Sequence, residues 1–184
     1  MAAAGYFLAR GLEHSRPALA SGTWLPAPRS IAPLALTDQS GAAFTQAQLA
    51  GAPTVVFFGF THCPDVCPTT LLKLARARAA AHASWRVVFV SLDPGRDSPA
   101  LLAQYLHAFD SSFVGLTGSA AAIGELAARF GVAFARVDLP GGDYTIDHSA
   151  TLFLLDREGR MVAVFTPPFD EARLAADLDA AARS

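Results

Sequence analysis

The run Thr54-Val55-Val56-Phe57-Phe58-Gly59-Phe60 constrains this chain more than any other stretch. A continuous series of β-branched and aromatic side chains with no polar alternation is the pattern of a strand buried on both faces. Such a strand belongs in the middle of an α/β sheet, and the segments after it must cover it. Residues Thr69 to His82 are rich in Ala, Leu, Lys and Arg, so they predict a helix with Leu71, Leu72 and Leu74 toward the sheet and Arg76 and Arg78 on a solvated face. Arg86 to Leu92 repeats the strand signature and ends in the turn Asp93-Pro94-Gly95. Ser98 is placed to cap a helix with Pro99 at its first position, running to about Phe109. Ala120 to Phe130 predicts a further helix, with Gly131 at its left-handed C-terminal position.

The flanking segments complete the pattern. Leu34–Thr37 and Ala42–Thr45 read as two short strands about the polar turn Asp38 to Gly41. Ala133–Val137 is a short strand, Gly141-Gly142 a turn, and Thr151–Leu155 with Met161–Phe165 a hairpin about Asp156 to Gly159. Asp170 begins a last amphipathic helix that ends near Ala182. The order gives an α/β chain of thioredoxin-like fold: a central mixed sheet flanked by helices, with an N-terminal β-hairpin.

A length of 184 residues suits one domain, and 52% hydrophobic against 16% charged residues is too apolar for disorder. The expected division is residues 33–184 as the thioredoxin-like domain and residues 1–32 as an extended arm or linker. Pro17, Pro26, Pro28 and Pro33 remove amide donors there and prevent a long helix. The opening MAAAGYFL is apolar but far short of the roughly 20 residues that cross a bilayer. Ala2 to Leu12 is therefore either the remnant of a membrane anchor or an apolar start of a soluble chain. A net charge of -2 with scattered arginines offers no basic stripe for a phosphate backbone, which excludes nucleic acid as a partner.

The only two cysteines, Cys63 and Cys67, stand in Phe60-Thr61-His62-Cys63-Pro64-Asp65-Val66-Cys67-Pro68, where the buried strand hands over to a helix. Loops at that place carry function in open sheets, and the positive end of a helix favours thiolates below the free cysteine pKa of about 8.5. Both sulfurs are expected to ionise easily. A spacing of four sets them on one side of the first helical turn, close enough for a disulfide or for one soft metal ion. Core packing, the commoner use of isolated cysteines, fits poorly beside prolines and polar neighbours. In a thioredoxin-like order the loop entering the Thr151 strand lies against the cysteine-bearing helix start. His148 is thereby brought near both sulfurs, and where redox thioredoxins carry a proline this chain has Asp147-His148-Ser149-Ala150. Two thiolates and an imidazole suit Cu(I), whereas zinc would call on a fourth ligand such as Asp65 or His62. Asp147 is a candidate acceptor for the imidazole N–H. His14, His82 and His107 receive no role.

The segments Phe58 to Pro68, Ser91 to Pro99 and Asp143 to Ser149 together resemble the Sco/SenC copper chaperones, over a span from about Pro33 to the C-terminus. The resemblance implies copper, as Cu(I) or Cu(II), held by Cys63, Cys67 and His148. It further implies a domain tethered to the membrane, on the periplasmic side of the bacterial inner membrane or in the mitochondrial intermembrane space. There it would support assembly of the dinuclear copper A centre of cytochrome c oxidase. The partners so implied are the oxidase subunit carrying that centre, a copper donor, and a thioredoxin-like reductant that keeps the pair reduced. A thiol–disulfide oxidoreductase using Cys63 and Cys67 is the rival function, and His148 discriminates, because a pure redox enzyme does not need it. A peroxiredoxin-type peroxidase would need one low-pKa cysteine with a protecting Arg and Thr, and the pair argues against it.

Overall fold

The computed structural model describes residues 16–183. All six residues of β4 (Thr54–Gly59) are buried, as the unbroken apolar run requires. On one side β4 pairs in parallel with β5 (Arg86–Ser91), from Thr54↔Arg86 to Gly59↔Ser91. On the other it pairs antiparallel with β9 (Leu152–Leu155), from Thr54↔Leu155 to Phe57↔Leu152. α1 (Val66–Ala79) links β4 to β5, and α2 (Pro99–His107) links β5 to β6 (Val114–Thr117), again in parallel. β2 (Ala35–Asp38) and β3 (Ala43–Thr45) form the expected hairpin and close that edge by pairing β2 with β6. α3 (Ala120–Phe130) leads to β7 (Phe134–Asp138) and β8 (Tyr144–His148). β9 then continues into β10 (Arg160–Phe165) and α4 (Glu171–Arg183). With β1 (Gly22–Ser30), the main sheet runs β1-β10-β9-β4-β5-β6-β2-β3, while β7 and β8 make a separate two-stranded sheet.

Strand alternation sorts the aromatic core between the two faces. Phe58 and Phe153 meet Phe130 of α3 edge to face on one side. On the other, Phe57 packs against Phe89, which meets Tyr105 of α2. Each fully buried ring stabilises the fold by about 1.5–3 kcal/mol relative to an exposed one. The helix ends follow local rules. The Ser98 hydroxyl accepts from the Leu101 amide and Ser119 from the Ala122 amide, and Gly131 ends α3 at φ 73°.

Five expectations change. The arm is extended, but Gly22–Ser30 is the edge strand of the main sheet, antiparallel to β10, so the sheet begins ahead of residue 33. Its two prolines are tolerated because, among the described residues, β1 pairs on one side only and its register shifts between Trp24 and Arg29. The arm is further tied down by Asp177 of α4, whose carboxylate accepts from the amides of Ala20 and Ser21 and from the Ser21 hydroxyl. β8 is a strand where the sequence reads as loop, and β6 is a strand that the sequence pattern does not announce. Its Gly115 weakens the strand signature, and a Cβ there would stand 2.8 Å from Leu106 Cδ1, so close packing of α2 requires the glycine. Leu72 is 44% exposed while Leu71 and Leu74 are buried. Arg78 is not simply solvated: it stacks on Trp85, donates to the Trp85 carbonyl and bonds Ser112 at 3.0 Å, while Arg76 stays exposed and pairs with Glu171. The anchor question at Ala2–Leu12 and His14 lie outside the described residues. Among the described residues no helix is long and apolar enough to cross a membrane.

Candidate metal centre

β4 ends at Gly59, where a Cβ would lie 2.8 Å from both Cys67 Sγ and Phe89 Cε2, so the missing side chain makes room for a sulfur. The chain then turns. The Thr61 amide and hydroxyl donate to Asp97 at 3.0 and 2.6 Å, and Ser91 Oγ donates to the same buried carboxylate at 2.6 Å. These bonds fix the backbone immediately before the cysteines. The Cys63 amide closes a turn on the Phe60 carbonyl at 3.3 Å. α1 begins at Val66, so Cys67 is in its first turn while Cys63 precedes it. This corrects the expectation that both lie on the helix. The Asp65 side chain makes no capping bond to the helix start, and the Cys67 amide donates instead to Cys63 Sγ at 3.4 Å. The sulfur takes the role of a cap.

His148 is the last residue of β8. Its Nδ1 lies 3.0 Å from the Ser149 carbonyl, and a carbonyl only accepts, so in the neutral ring Nδ1 carries the proton and Nε2 keeps its lone pair for a ligand. Nε2 stands 3.4 Å from Cys67 Sγ, with the rings of Phe57 and Phe60 beside the imidazole. Asp147, expected as a candidate orienting group, is exposed, and the Ser149 carbonyl does that work. The ligating atoms of Cys63, Cys67 and His148 all lie within 4.8 Å of one another.

The two sulfurs are electrostatically unequal, which overturns the expectation that both ionise easily. Donation from the Cys67 thiol lowers the Cys63 pKa to about 5, against the cost of burial and helped by the Asp65 and Cys67 amides. Giving that hydrogen bond, together with complete burial, pushes the Cys67 thiol well up. Two adjacent buried thiolates repel, so the pair holds one proton until a cation replaces it. Two soft sulfurs and one imidazole nitrogen converging on a point match the preferences of Cu(I). Neither candidate fourth ligand joins the cluster: His62 is half exposed with Nδ1 3.0 Å from Thr61 Oγ1, and Asp65 is exposed and accepts from Thr69 Oγ1. His82 and His107 sit exposed on the surface, far from any role here.

Fold and site together define a thioredoxin-like domain with a dithiol–imidazole centre at the C-terminal end of its central strand. The SCO1/SenC family profile matches residues 25–183. The chain is 37% identical over 139 residues to the SCO2-like protein RP587 of Rickettsia prowazekii, covering 72% of this chain and 67% of that protein. Among solved structures it is similar to copper-bound ScoI of Bradyrhizobium japonicum (43% identity, TM-score 0.72, covering 80% of this chain and 96% of that one). Copper-bound ScoI of Arabidopsis thaliana is also similar (32% identity, TM-score 0.78, 83% and 97% covered). The chain belongs to the SCO1/SenC family. Several longer curated relatives are matched over only about half of their length.

Proposed function

We propose that this protein is a copper metallochaperone, which carries copper on Cys63, Cys67 and His148 and delivers it to the copper A centre of cytochrome c oxidase. The observation that carries this reading is the convergence of two sulfurs and the His148 Nε2 within 4.8 Å, with Nδ1 on the far side of the ring facing a backbone carbonyl. It is supported by the copper held in the Bradyrhizobium and Arabidopsis relatives. Delivery proceeds by ligand exchange: cysteines and histidines of the oxidase subunit replace the three ligands one at a time, and no covalent bond need be made in the protein. An oxidised pair offers no thiolate, so the cycle needs a thioredoxin-like reductant as well as a copper donor. A membrane tether in the full-length protein and action on the periplasmic side of the inner membrane belong to the same reading.

The test is to load fully reduced protein with Cu(II) and record visible and EPR spectra beside Cys63→Ala and His148→Ala. Sulfur-to-copper charge transfer should vanish in Cys63→Ala. Copper affinity should fall by about a hundredfold or more in His148→Ala, since even outer partners of a ligating histidine are worth about 10–100-fold. Equal copper binding by wild type and both variants would sink the reading. The unequal pair favours one alternative, a thiol–disulfide oxidoreductase acting on the oxidase subunit's cysteines. In it the Cys63 thiolate attacks a partner disulfide and releases one partner thiolate. Cys67 then attacks Cys63 Sγ and frees the second, leaving this chain oxidised and the partner reduced. His148→Ala would leave that exchange within a few-fold of wild type while abolishing tight copper binding.

A further inference from the structure

His148 sits on an insecure support. Among the described residues β7 and β8 pair only with each other, all of β7 is exposed, and within β8 only Ile146 is buried. An isolated two-stranded ribbon is marginally stable in water. At the end of β8 remote from His148, however, the ribbon is held by the loop that follows β5. Tyr144 Oη donates to Asp93 Oδ1 at 2.8 Å, and Asp93, itself 5% exposed, also accepts from Arg96 Nε. Arg96 Nη1 donates to the Tyr144 carbonyl at 3.0 Å and to Asp143 at 3.1 Å. The Arg96 guanidinium lies 3.6 Å from the Tyr144 ring centroid, and Arg136 of β7 lies 3.8 Å from it. The same loop grips the cysteine segment through Asp97 and Thr61. One short loop thus touches both halves of the centre, which are otherwise contributed by distant parts of the chain.

We propose that Asp93, Arg96 and Tyr144 form a buckle that positions His148, holding the β7–β8 ribbon so that Nε2 stays in register with the two sulfurs. These are positioning residues, since none reaches the ligating atoms. The inference rests on copper being the cargo of Cys63, Cys67 and His148. With the buckle open, His148 leaves first and copper remains on the two sulfurs, the step that ligand exchange with a partner requires.

The test uses the whole chain with Tyr144→Phe, which deletes one hydroxyl, and Arg96→Gln, with Arg96→Lys as the conservative variant and His148→Ala as the reference for full loss. Two readouts are taken: nitrogen coupling in the Cu(II) EPR spectrum with the copper dissociation rate, and hydrogen exchange of β8 amides in the reduced copper-free protein. Tyr144→Phe and Arg96→Gln should weaken the nitrogen coupling toward that of His148→Ala and speed dissociation about tenfold, with partial recovery in Arg96→Lys. Exchange in β8 should rise at least as much while β4 amides and the thermal midpoint stay near wild type. Faster exchange with unchanged copper coupling overturns the proposal, because the ribbon would then loosen without moving the ligand. If wild-type copper binding does not depend on His148, the delivery reading fails by itself. The buckle then stands or falls on exchange in β8, and unchanged exchange overturns it.

Discussion

At the scale of single residues, the cysteines carry the sharpest expectations. Cys63 has its pKa lowered to about 5 first of all by the Cys67 thiol, so its alkylation rate should be half-maximal near pH 5. In Cys67→Ala the midpoint should climb toward the ordinary thiol value, about 8.5. A midpoint that stays put in Cys67→Ala would assign the shift to the helix start instead. The sign for stability follows from the same direction. Between pH 9 and 5 the folded protein keeps the Cys63 thiolate that the unfolded chain has lost, so this contribution is full above the unfolded value and fades as pH falls through about 5. Cys67 acts oppositely: its raised pKa makes the folded state less favourable once the unfolded chain ionises above pH 9. Urea midpoints of the reduced protein should therefore rise from pH 5 to 8, and Cys63→Ala should flatten the rise. Gly59 gives a second expectation. Gly59→Ala drives a methyl within 2.8 Å of two buried groups, Cys67 Sγ and Phe89, and should cost about 1–3 kcal/mol by urea unfolding. Gly124→Ala, inside α3 with open space around it, should instead gain about 0.5–1 kcal/mol.

At the scale of elements, what the sequence revealed and what it hid separate on physical grounds. β4 and β5 are legible because burial on both faces leaves an unbroken apolar run inside each, Val55–Phe58 and Val87–Val90. β1 was concealed by Pro26 and Pro28, which punctuate a loop in most contexts but are tolerated on a one-sided edge strand with a register shift. β6 was concealed by a packing glycine. β8 reads as loop because Tyr144, Thr145, Asp147 and His148 are polar or amphipathic and only Ile146 is buried. The arm's attachment was equally invisible, since Asp177 looks like any surface acid of an amphipathic helix until Ala20 and Ser21 are seen above it. Asp177→Ala removes three hydrogen bonds to a buried carboxylate and should destabilise the protein by about 2–3 kcal/mol. Hydrogen exchange should localise the effect: β1 amides speed up while those of β4 keep their protection. A uniform loss of protection would mean that β1 and the sheet unfold as one unit.

At the scale of the whole molecule, the site exists because of strand order. Phe57 of β4 lies opposite Leu152 of β9, so the chain just after β4 and the chain just before β9 emerge side by side at one end of the sheet. Cys63 and Cys67 follow the first strand and His148 precedes the second, which closes a sequence gap of 81 residues to 3.4 Å. No local spacing encodes that proximity; it was legible only through the thioredoxin-like order, whereas the cysteine pair was legible from its own neighbours. Because Cys63, Cys67 and His148 come together only in the folded chain, copper held there as proposed must stabilise the fold by linkage. With free Cu(I) at a hundredfold excess over Kd, the gain is about 2.7 kcal/mol. For a chain of this size that raises the thermal midpoint by roughly 5–10 °C. The rise should appear in reduced wild type and be largely lost in His148→Ala. It should be absent after oxidation to the Cys63–Cys67 disulfide, which consumes both sulfurs. Calorimetry of these three samples with and without Cu(I) decides the matter, and an equal rise in the oxidised protein would place the copper somewhere other than this centre.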